Sequence, residues 1–375
     1  MSINNIGGIM MGNGYFFTGF PGFICNQLIR EVLKKNDLKG VIYVLVLQGM
    51  MDKARKERKV IISELGLSEE SFVIIEGDIT KPSLFISEDT KKQIIDKVTH
   101  VFHLAAIYDL AVPRDLAYMI NVNGTNNVNN WVRDLTNLKR YVYFSTAYVV
   151  GKREGTLYET ELIRPTSFKN HYEETKYEAE VLVEKLKREI PITIIRPGIV
   201  KGHSQTGETI KFDGPYFMMN FLERLKFFPL LPRLGKGEAY VNLVPIDYII
   251  QATTFLSFSE NGVGKTYHLT DPRPYRATDI YSFMMKEMMN KQPRGTLPLS
   301  ICKGLLSIKP LRKYLGVEKE ALDYFKWMGN FDCTQTVNDL KDSGIICPDF
   351  KEGIKPMTAF YLKQKDNPNY QINIL

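Results

Sequence analysis

Along the first two-thirds of the chain, short apolar runs alternate with longer amphipathic stretches. Residues 15–18 are strand-like and run into a glycine turn. Phe23–Lys35 carries apolar residues at Ile24, Leu28, Ile29, Val32 and Leu33, the spacing of a helix buried along one face. Residues 41–47 are almost continuously apolar, as expected of a strand covered on both sides. Met51–Leu65 reads as a polar helix, 72–75 as a third strand with Asp78 close behind, and 101–104 as a fourth. A helical stretch from about 116 to 135 leads to a fifth strand at 141–144. Residues 172–188 form a long amphipathic helix, and 192–195 a sixth strand. Strand and helix in alternation predict an α/β protein with a doubly wound parallel sheet and helices on both faces.

After Pro197 the pattern changes. Residues 202–237 are rich in Gly, Pro and aromatics, and 271–375 are mostly helical with proline punctuation. Residues 240–250 and 266–269 read as short strands returning to the sheet. The expected division is a nucleotide-binding domain over 13–201 and 238–270, with a smaller, mostly helical substrate subdomain over 202–237 and 271–375. The segment 217–231 carries Phe217, Met218, Met219, Phe221, Leu222, Phe227, Phe228 and Leu230. An acyl chain would suit such a surface, although core packing is the preferred reading for most of these side chains.

Composition narrows the classes. The 375 residues are 44% hydrophobic and 24% charged, ordinary for a globular protein. No window holds eighteen uninterrupted apolar residues, so no transmembrane helix is predicted. Residues 1–12 lack the layout of a signal peptide and read as a frayed, Gly-rich leader. The net charge of +7 is spread along the chain, and no basic run is interleaved with stacking aromatics, so nucleic acid is not an expected partner. Cys25, Cys302, Cys333 and Cys347 form no metal-type cluster and read as free thiols in a reducing cytoplasm. The five histidines also lack metal-site spacing, and no metal is expected.

Candidate chemistry lies at the strand ends. Thr18, Gly19, Phe20, Pro21, Gly22, Phe23 and Ile24 join the first strand to the first helix. Gly19 supplies a tight turn, Gly22 lets a diphosphate approach the backbone, and the helix N-terminus faces that anion. Cys25 stands where a third glycine is usual. Leu47 and Gln48 end the second strand, so neither an acid for NAD nor an arginine for NADP is present. Lys53, Arg55 and Arg58 follow and tilt the expectation slightly toward NADPH. Asp78 and Ile79 are placed to bracket the adenine, and Leu104, Ala105 and Ala106 give the cofactor a small-residue floor. Asn121 opens the next helix, either as a cofactor contact or as a structural tie. Pro197, Gly198, Ile199 and Val200 are candidates to hold the nicotinamide carboxamide through their backbone.

The candidate reacting groups are Thr146, Tyr172 and Lys176. A helix places Tyr172 and Lys176 on one face. There the ammonium is expected to lower the phenol pKa, and Thr146 to help the phenol hold a substrate oxygen.

Together the glycine turn, Gly77-Asp78-Ile79, His103-Leu104-Ala105-Ala106, Asn121 to Thr125, Ser145-Thr146 with Gly151, the Tyr172/Lys176 pair and Arg196-Pro197-Gly198 resemble the extended short-chain dehydrogenase/reductases. Within that group the stretches 102–110, 196–208, 213–217, 241–247 and 268–271 are similar to bacterial fatty acyl-CoA reductases and thioester reductase domains. The resemblance implies a Rossmann-type fold, Thr146, Tyr172 and Lys176 as catalytic positions, and NAD(P)H-dependent reduction of an acyl-CoA or carrier-bound acyl thioester to aldehyde or alcohol. Those reductases typically carry arginine where this chain has Leu47. The alternatives are a dehydrogenase or epimerase acting on a secondary alcohol, sterol-like or nucleotide-sugar substrate, and a non-catalytic NADP-binding sensor. Residues 297–317 are read as a plain surface helix pair, with an amphipathic lid touching an acyl carrier protein or a membrane as the alternative.

Overall fold

A computed structural model of the chain describes residues 12–109, 112–317 and 319–372. The leader expected over 1–12 lies outside the described residues except for Gly12, as does Leu110 of the fourth-strand motif. The centre is a seven-stranded parallel sheet of β1 (Gly14–Thr18), β2 (Val41–Val46), β3 (Phe72–Glu76), β4 (Val98–His103), β5 (Arg140–Phe144), β6 (Ile192–Pro197) and β7 (Thr266–Leu269). Their order in space is 3-2-1-4-5-6-7, the doubly wound arrangement predicted.

Alternation along each strand feeds two cores. Tyr15, Phe17, Ile42, Val44, Val46, Phe102, Val142 and Ile195 point to one face, and Phe16, Tyr43, Leu45, Val101, Tyr141, Tyr143 and Ile194 to the other. Helices α1 (Phe23–Lys35) and α2 (Met51–Leu65) cover the first face. On the second lie α3 (Gly124–Arg133) and α4 (His171–Leu186). A six-residue π-helical stretch, Tyr118–Asn123, leads into α3, so the helix expected over 116–135 is not uniform.

One expectation fails. Residues 240–250 are not strands throughout: Tyr240–Val241 and Leu243–Pro245 are extended, but Ile246–Phe258 is a helix, α6. Its apolar run fits a buried strand or a buried helix equally well. Here Ile246, Ile249, Ile250 and Leu256 pack with Leu28, Ile29 and Val32 of α1 in the first core.

A third core is built from α5 (Tyr216–Arg224), α7 (Ala277–Met289) and, at the far end of the chain, a helix over Phe350–Gln364. Phe217 packs in a fourth cluster with Leu299 and Cys302 of α8 (Leu299–Leu306) and Leu315 of α9 (Lys309–Leu315). Met219 and Leu222 are core residues, whereas Phe227, Phe228 and Leu230 are exposed. The two-stranded pair Gly155–Leu157 with Gly329–Phe331 fastens the later chain beside the main sheet.

The inward face of α4 carries buried charge beside the apolar Ala179, Val183 and Leu186. Glu180 and Arg196 are both fully buried and joined, with Arg196 Nε 2.9 Å from Glu180 Oε1. Arg196 also donates to the Glu161 carbonyl at 2.9 Å, and Glu180 accepts from Ser145. Removing one partner strands the other's charge in the interior. Glu180→Leu is expected to cost about 3–5 kcal/mol in urea unfolding, and Glu180→Leu with Arg196→Met to recover most of it. A single variant as stable as the wild type would show that the pair is not buried.

Candidate active site

All seven strands run the same way, so the loops after their C-terminal ends gather on one edge. The strand order reverses between β1 and β4, and ligands of open α/β sheets bind at that point. Gly19 stands there with φ +95°, and a Cβ on it would come within 2.9 Å of the Ala105 nitrogen. A Cβ on Gly22 would meet the Gly19 carbonyl at 2.6 Å, and the Gly22 N–H already donates to that oxygen at 2.8 Å. Gly22 is therefore needed by the turn itself, and it is exposed at the mouth of α1. That helix has no side-chain cap and no acid in its first turn, which leaves its first N–H groups available to an anion. These features fit a dinucleotide diphosphate.

Several neighbours act as struts. Thr18 Oγ1 lies 2.7 Å from His103 Nδ1 and accepts from the Ala105 N–H at 3.1 Å. His103 reaches Thr125 on its other side at 3.1 Å, and burial pushes its pKa down to about 3. The Phe20 ring is buried against Phe72, Pro21 is buried, and Phe23 and Ile24 pack on the first core. Asn121 exchanges hydrogen bonds with the Ile107 backbone at 2.9 and 3.0 Å and reaches Thr175 at 3.0 Å, which ties the loop after β4 to α4. Asp78 accepts from the Thr80 N–H and hydroxyl at 2.8 Å, and Ile79 is buried under Gly124. Leu104, Ala105 and Ala106 remain partly open beside Gly19.

At the end of β2, Leu47 is exposed, and so are Lys53 and Arg55. The Arg55 guanidinium pairs with Asp52 at 3.1 Å. Arg58 is withdrawn: it donates to the Phe72 and Glu69 carbonyls at 2.6 and 2.5 Å and pairs with the Glu69 carboxylate. At the end of β6, Pro197 and Gly198 are buried. A Cβ on Gly198 would meet Asn242 Oδ1 at 2.8 Å, and Ile199 and Val200 pair with Leu243 and Val244.

Thr146 and Tyr172 are brought together, close enough for the Thr146 hydroxyl to act on the pKa of the phenol. Lys176 sits deeper. Its ammonium donates to Tyr143 Oη at 2.9 Å and to the Phe144 carbonyl at 2.6 Å. The expected lowering of the Tyr172 pKa is not found. Desolvation raises it, with the Thr146 hydrogen bond as the opposing effect. The lysine carries the depression instead: burial pushes its pKa down to about 7, against the pull of Glu180. Tyr108 and Lys211 bridge the loop after β4 to the segment after β6 at 2.7 Å, close enough to Tyr172 for the Tyr108 phenol to influence its pKa.

A family model described as male sterility protein, an NAD-binding domain, matches residues 17–253. The chain belongs to that family. The family is a branch of the extended short-chain dehydrogenase/reductases, NAD(P)-binding oxidoreductases. Among curated relatives, the chain is 28% identical over 272 residues to the non-canonical nonribosomal peptide synthetase cpsA of Aspergillus campestris, covering 68% of this chain and 25% of that protein. It is 27% identical over 273 residues to the fatty acyl-CoA reductase wat of Drosophila melanogaster, covering 64% and 53%. It thus spans a quarter to about half of the length of these relatives. Among solved structures, the terminal R domain of the myxalamid PKS-NRPS pathway superposes with a TM-score of 0.79 at 24% identity, over 97% of this chain and 94% of that one. The dTDP-glucose 4,6-dehydratase DesIV of Streptomyces venezuelae, with NAD bound, gives 0.65 at 17%, over 95% and 99%. At these identities the structural likeness is one of fold.

Sequence reading missed Tyr143, Ser145 and Glu180. A signal was present for Glu180: Tyr172, Lys176 and Glu180 recur every fourth residue, one stripe of a helix. Tyr143 shares a strand face with Tyr141, and alternation pointed it at α4.

A buried lysine with a depressed pKa makes folding pH-dependent. Between about 7 and the ordinary 10.5, unfolded Lys176 holds a proton that the folded lysine has released, so stability rises with pH across that window. Lys176→Met should lack this rise, and the wild type should gain on the variant as pH increases. Urea midpoints of both proteins, free of nucleotide, are the measurement. Parallel pH dependences would mean that the lysine titrates normally.

Proposed function

We propose that the chain is an NAD(P)H-dependent reductase of acyl thioesters. The observation that carries this is the Thr146 hydroxyl set beside the Tyr172 phenol above a buried Lys176 that is held by Tyr143 and the Phe144 carbonyl. A phenol kept protonated is a hydrogen-bond donor. That suits a carbonyl oxygen gaining negative charge in a reduction. The nicotinamide, when bound, supplies the hydride. Thr146 and Tyr172 donate to the developing oxyanion; the carbon–sulfur bond then breaks to give aldehyde, and the leaving thiolate takes up one proton to become the thiol. Lys176, anchored by Tyr143 and the Phe144 carbonyl, stands beneath the pair with a pKa near neutral, which suits a group that replaces the proton the phenol gives up.

The thioester as substrate is supported by the named activity of the fly relative and by the reductase-domain neighbour from a synthetase pathway. Acyl-CoA and carrier-bound acyl groups share the reacting thioester. Incubation with long-chain acyl-CoA, an acyl carrier thioester and a nucleotide-sugar panel, each with reduced nucleotide, tests the reading. Aldehyde or alcohol from a thioester is expected; turnover of nucleotide sugars alone would overturn it.

Tyr172→Phe removes one hydroxyl from the donor pair. Turnover should fall roughly 10²–10⁴-fold with nucleotide affinity retained. Near-normal turnover would remove Tyr172 from the mechanism.

For the cofactor, Leu47 and Gln48 place no acid against a 2′-phosphate, and Lys53 and Arg55 offer exposed positive charge. With Arg58 withdrawn and Arg55 shared with Asp52, a preference for NADPH of about tenfold or less is expected, shrinking as salt rises. The ratio of kcat/KM for NADPH and NADH at two ionic strengths measures it. A strong, salt-insensitive preference for NADH would exclude these two side chains from the ribose site.

A further inference from the structure

Two stretches far apart in sequence, 224–237 and 291–317, meet in one unit of the helical region. Arg233–Leu234 pairs with Thr296–Leu297 as a short parallel ladder. The Arg294 N–H donates to the Leu231 carbonyl at 2.9 Å, and Lys291 Nζ donates to the Lys226 and Phe228 carbonyls at 2.9 and 3.0 Å. The Arg224 guanidinium lies over the Tyr314 ring at 5.8 Å. The backbone around 225–231 is therefore pinned on both sides.

What this pinned loop presents is apolar. Phe227 is 87% exposed, Phe228 56% and Leu230 59%, with exposed Pro229 between them. In the same unit, α8 buries Leu299, Cys302 and Leu306 but leaves Ile301 and Leu305 exposed, with Ile308 following at helical spacing. The third and fourth cores are filled without any of these side chains. Contiguous exposed apolar groups on an ordered loop mark an interaction surface.

Charge identifies the occupant. The stretches 224–237 and 291–317 contain ten Lys and Arg and no Asp or Glu, more positive charge than the +7 of the whole chain. Neighbouring acids offset part of it, Glu223 pairing with Lys226 and Asp323 with Lys303. Exposed aromatics set among exposed cations such as Arg233, Arg294 and Lys309 match an anionic bilayer surface, which takes rings at the acyl boundary and cations at the headgroups. Phe227 at 87% exposure lines no groove, so it has no preformed socket in which to hold a protein side chain.

We propose that this face is a peripheral membrane-binding surface: Phe227, Phe228 and Leu230 enter the interface of an anionic bilayer while Arg233, Arg294 and Lys309 meet its headgroups. The proposal stands apart from the thioester reading, because its readout is partition and not turnover.

The test is co-sedimentation of the full chain with phosphatidylcholine vesicles, with and without phosphatidylglycerol, at low and high salt. Pelleting with the anionic vesicles at low salt is expected. It should weaken about tenfold or more in Phe227→Ser/Phe228→Ser/Leu230→Ser, and also as salt rises. These side chains touch solvent, so the variant should keep its unfolding transition, checked by circular dichroism. No pelleting of the wild type with anionic vesicles overturns the proposal. So does pelleting unchanged in the triple variant, which would be charge attraction alone. If vesicles fail but an acidic acyl carrier protein binds the wild type and not the triple variant, the face belongs to a protein partner instead.

Discussion

A parallel sheet has two apolar faces, and neither can meet water. The layers of the nucleotide-binding part of this chain follow from covering both. Phe17, Val44 and Val142 need α1, α2 and α6 above them, while Phe16, Leu45 and Tyr143 need α3 and α4 below. Because the strands are parallel, each must be reached by a crossover, and the crossovers leave their connecting loops at the C-terminal edge. The glycine turn, the small-residue floor at Leu104–Ala106, the Thr146 loop and the exit at Pro197–Gly198 are neighbours for that reason, although they span 180 residues of sequence.

The second organising element is the buried charge on the inner face of α4. Tyr172, Lys176 and Glu180 stand on one stripe, and each is used at a different depth. Tyr172 meets Thr146 at the cleft, Lys176 is gripped by Tyr143 and the Phe144 carbonyl, and Glu180 joins Ser145 to Arg196 beneath. Burial of such groups has a cost that only dense hydrogen bonding offsets. In return, the ends of β5 and β6 are fixed relative to the helix that carries the phenol. The same burial explains why the phenol and the ammonium shift in opposite directions. Low dielectric favours the neutral form of each, which raises the tyrosine and lowers the lysine.

Much of this was written locally. Periodicity placed α1 and α2 at their observed bounds and located all seven main strands to within a few residues, and the alternation predicted the doubly wound sheet. The glycine turn and the Tyr172/Lys176 pair both lie toward the C-terminal edge of the sheet. Residues 246–250 misled, because an apolar run bordered by proline is the same signal for a strand and for a buried helix. Arg58 misled because its composition and position suited an anion, while the carbonyls of Phe72 and Glu69 that claim it come from the following turn and strand.

The sequence by itself therefore determined the sheet, the order of its motifs and the residue types at the candidate site, since all three rest on short-range spacing. The tertiary structure decided the partners. It gave Lys176 to Tyr143 rather than to the phenol one turn away, made Asn121 and Thr18 struts, and left Phe227 and its neighbours outside every core. Those outcomes depend on which side chain wins a limited set of buried donors, acceptors and apolar volume. That competition is settled between elements distant in sequence, where spacing along the chain carries no information.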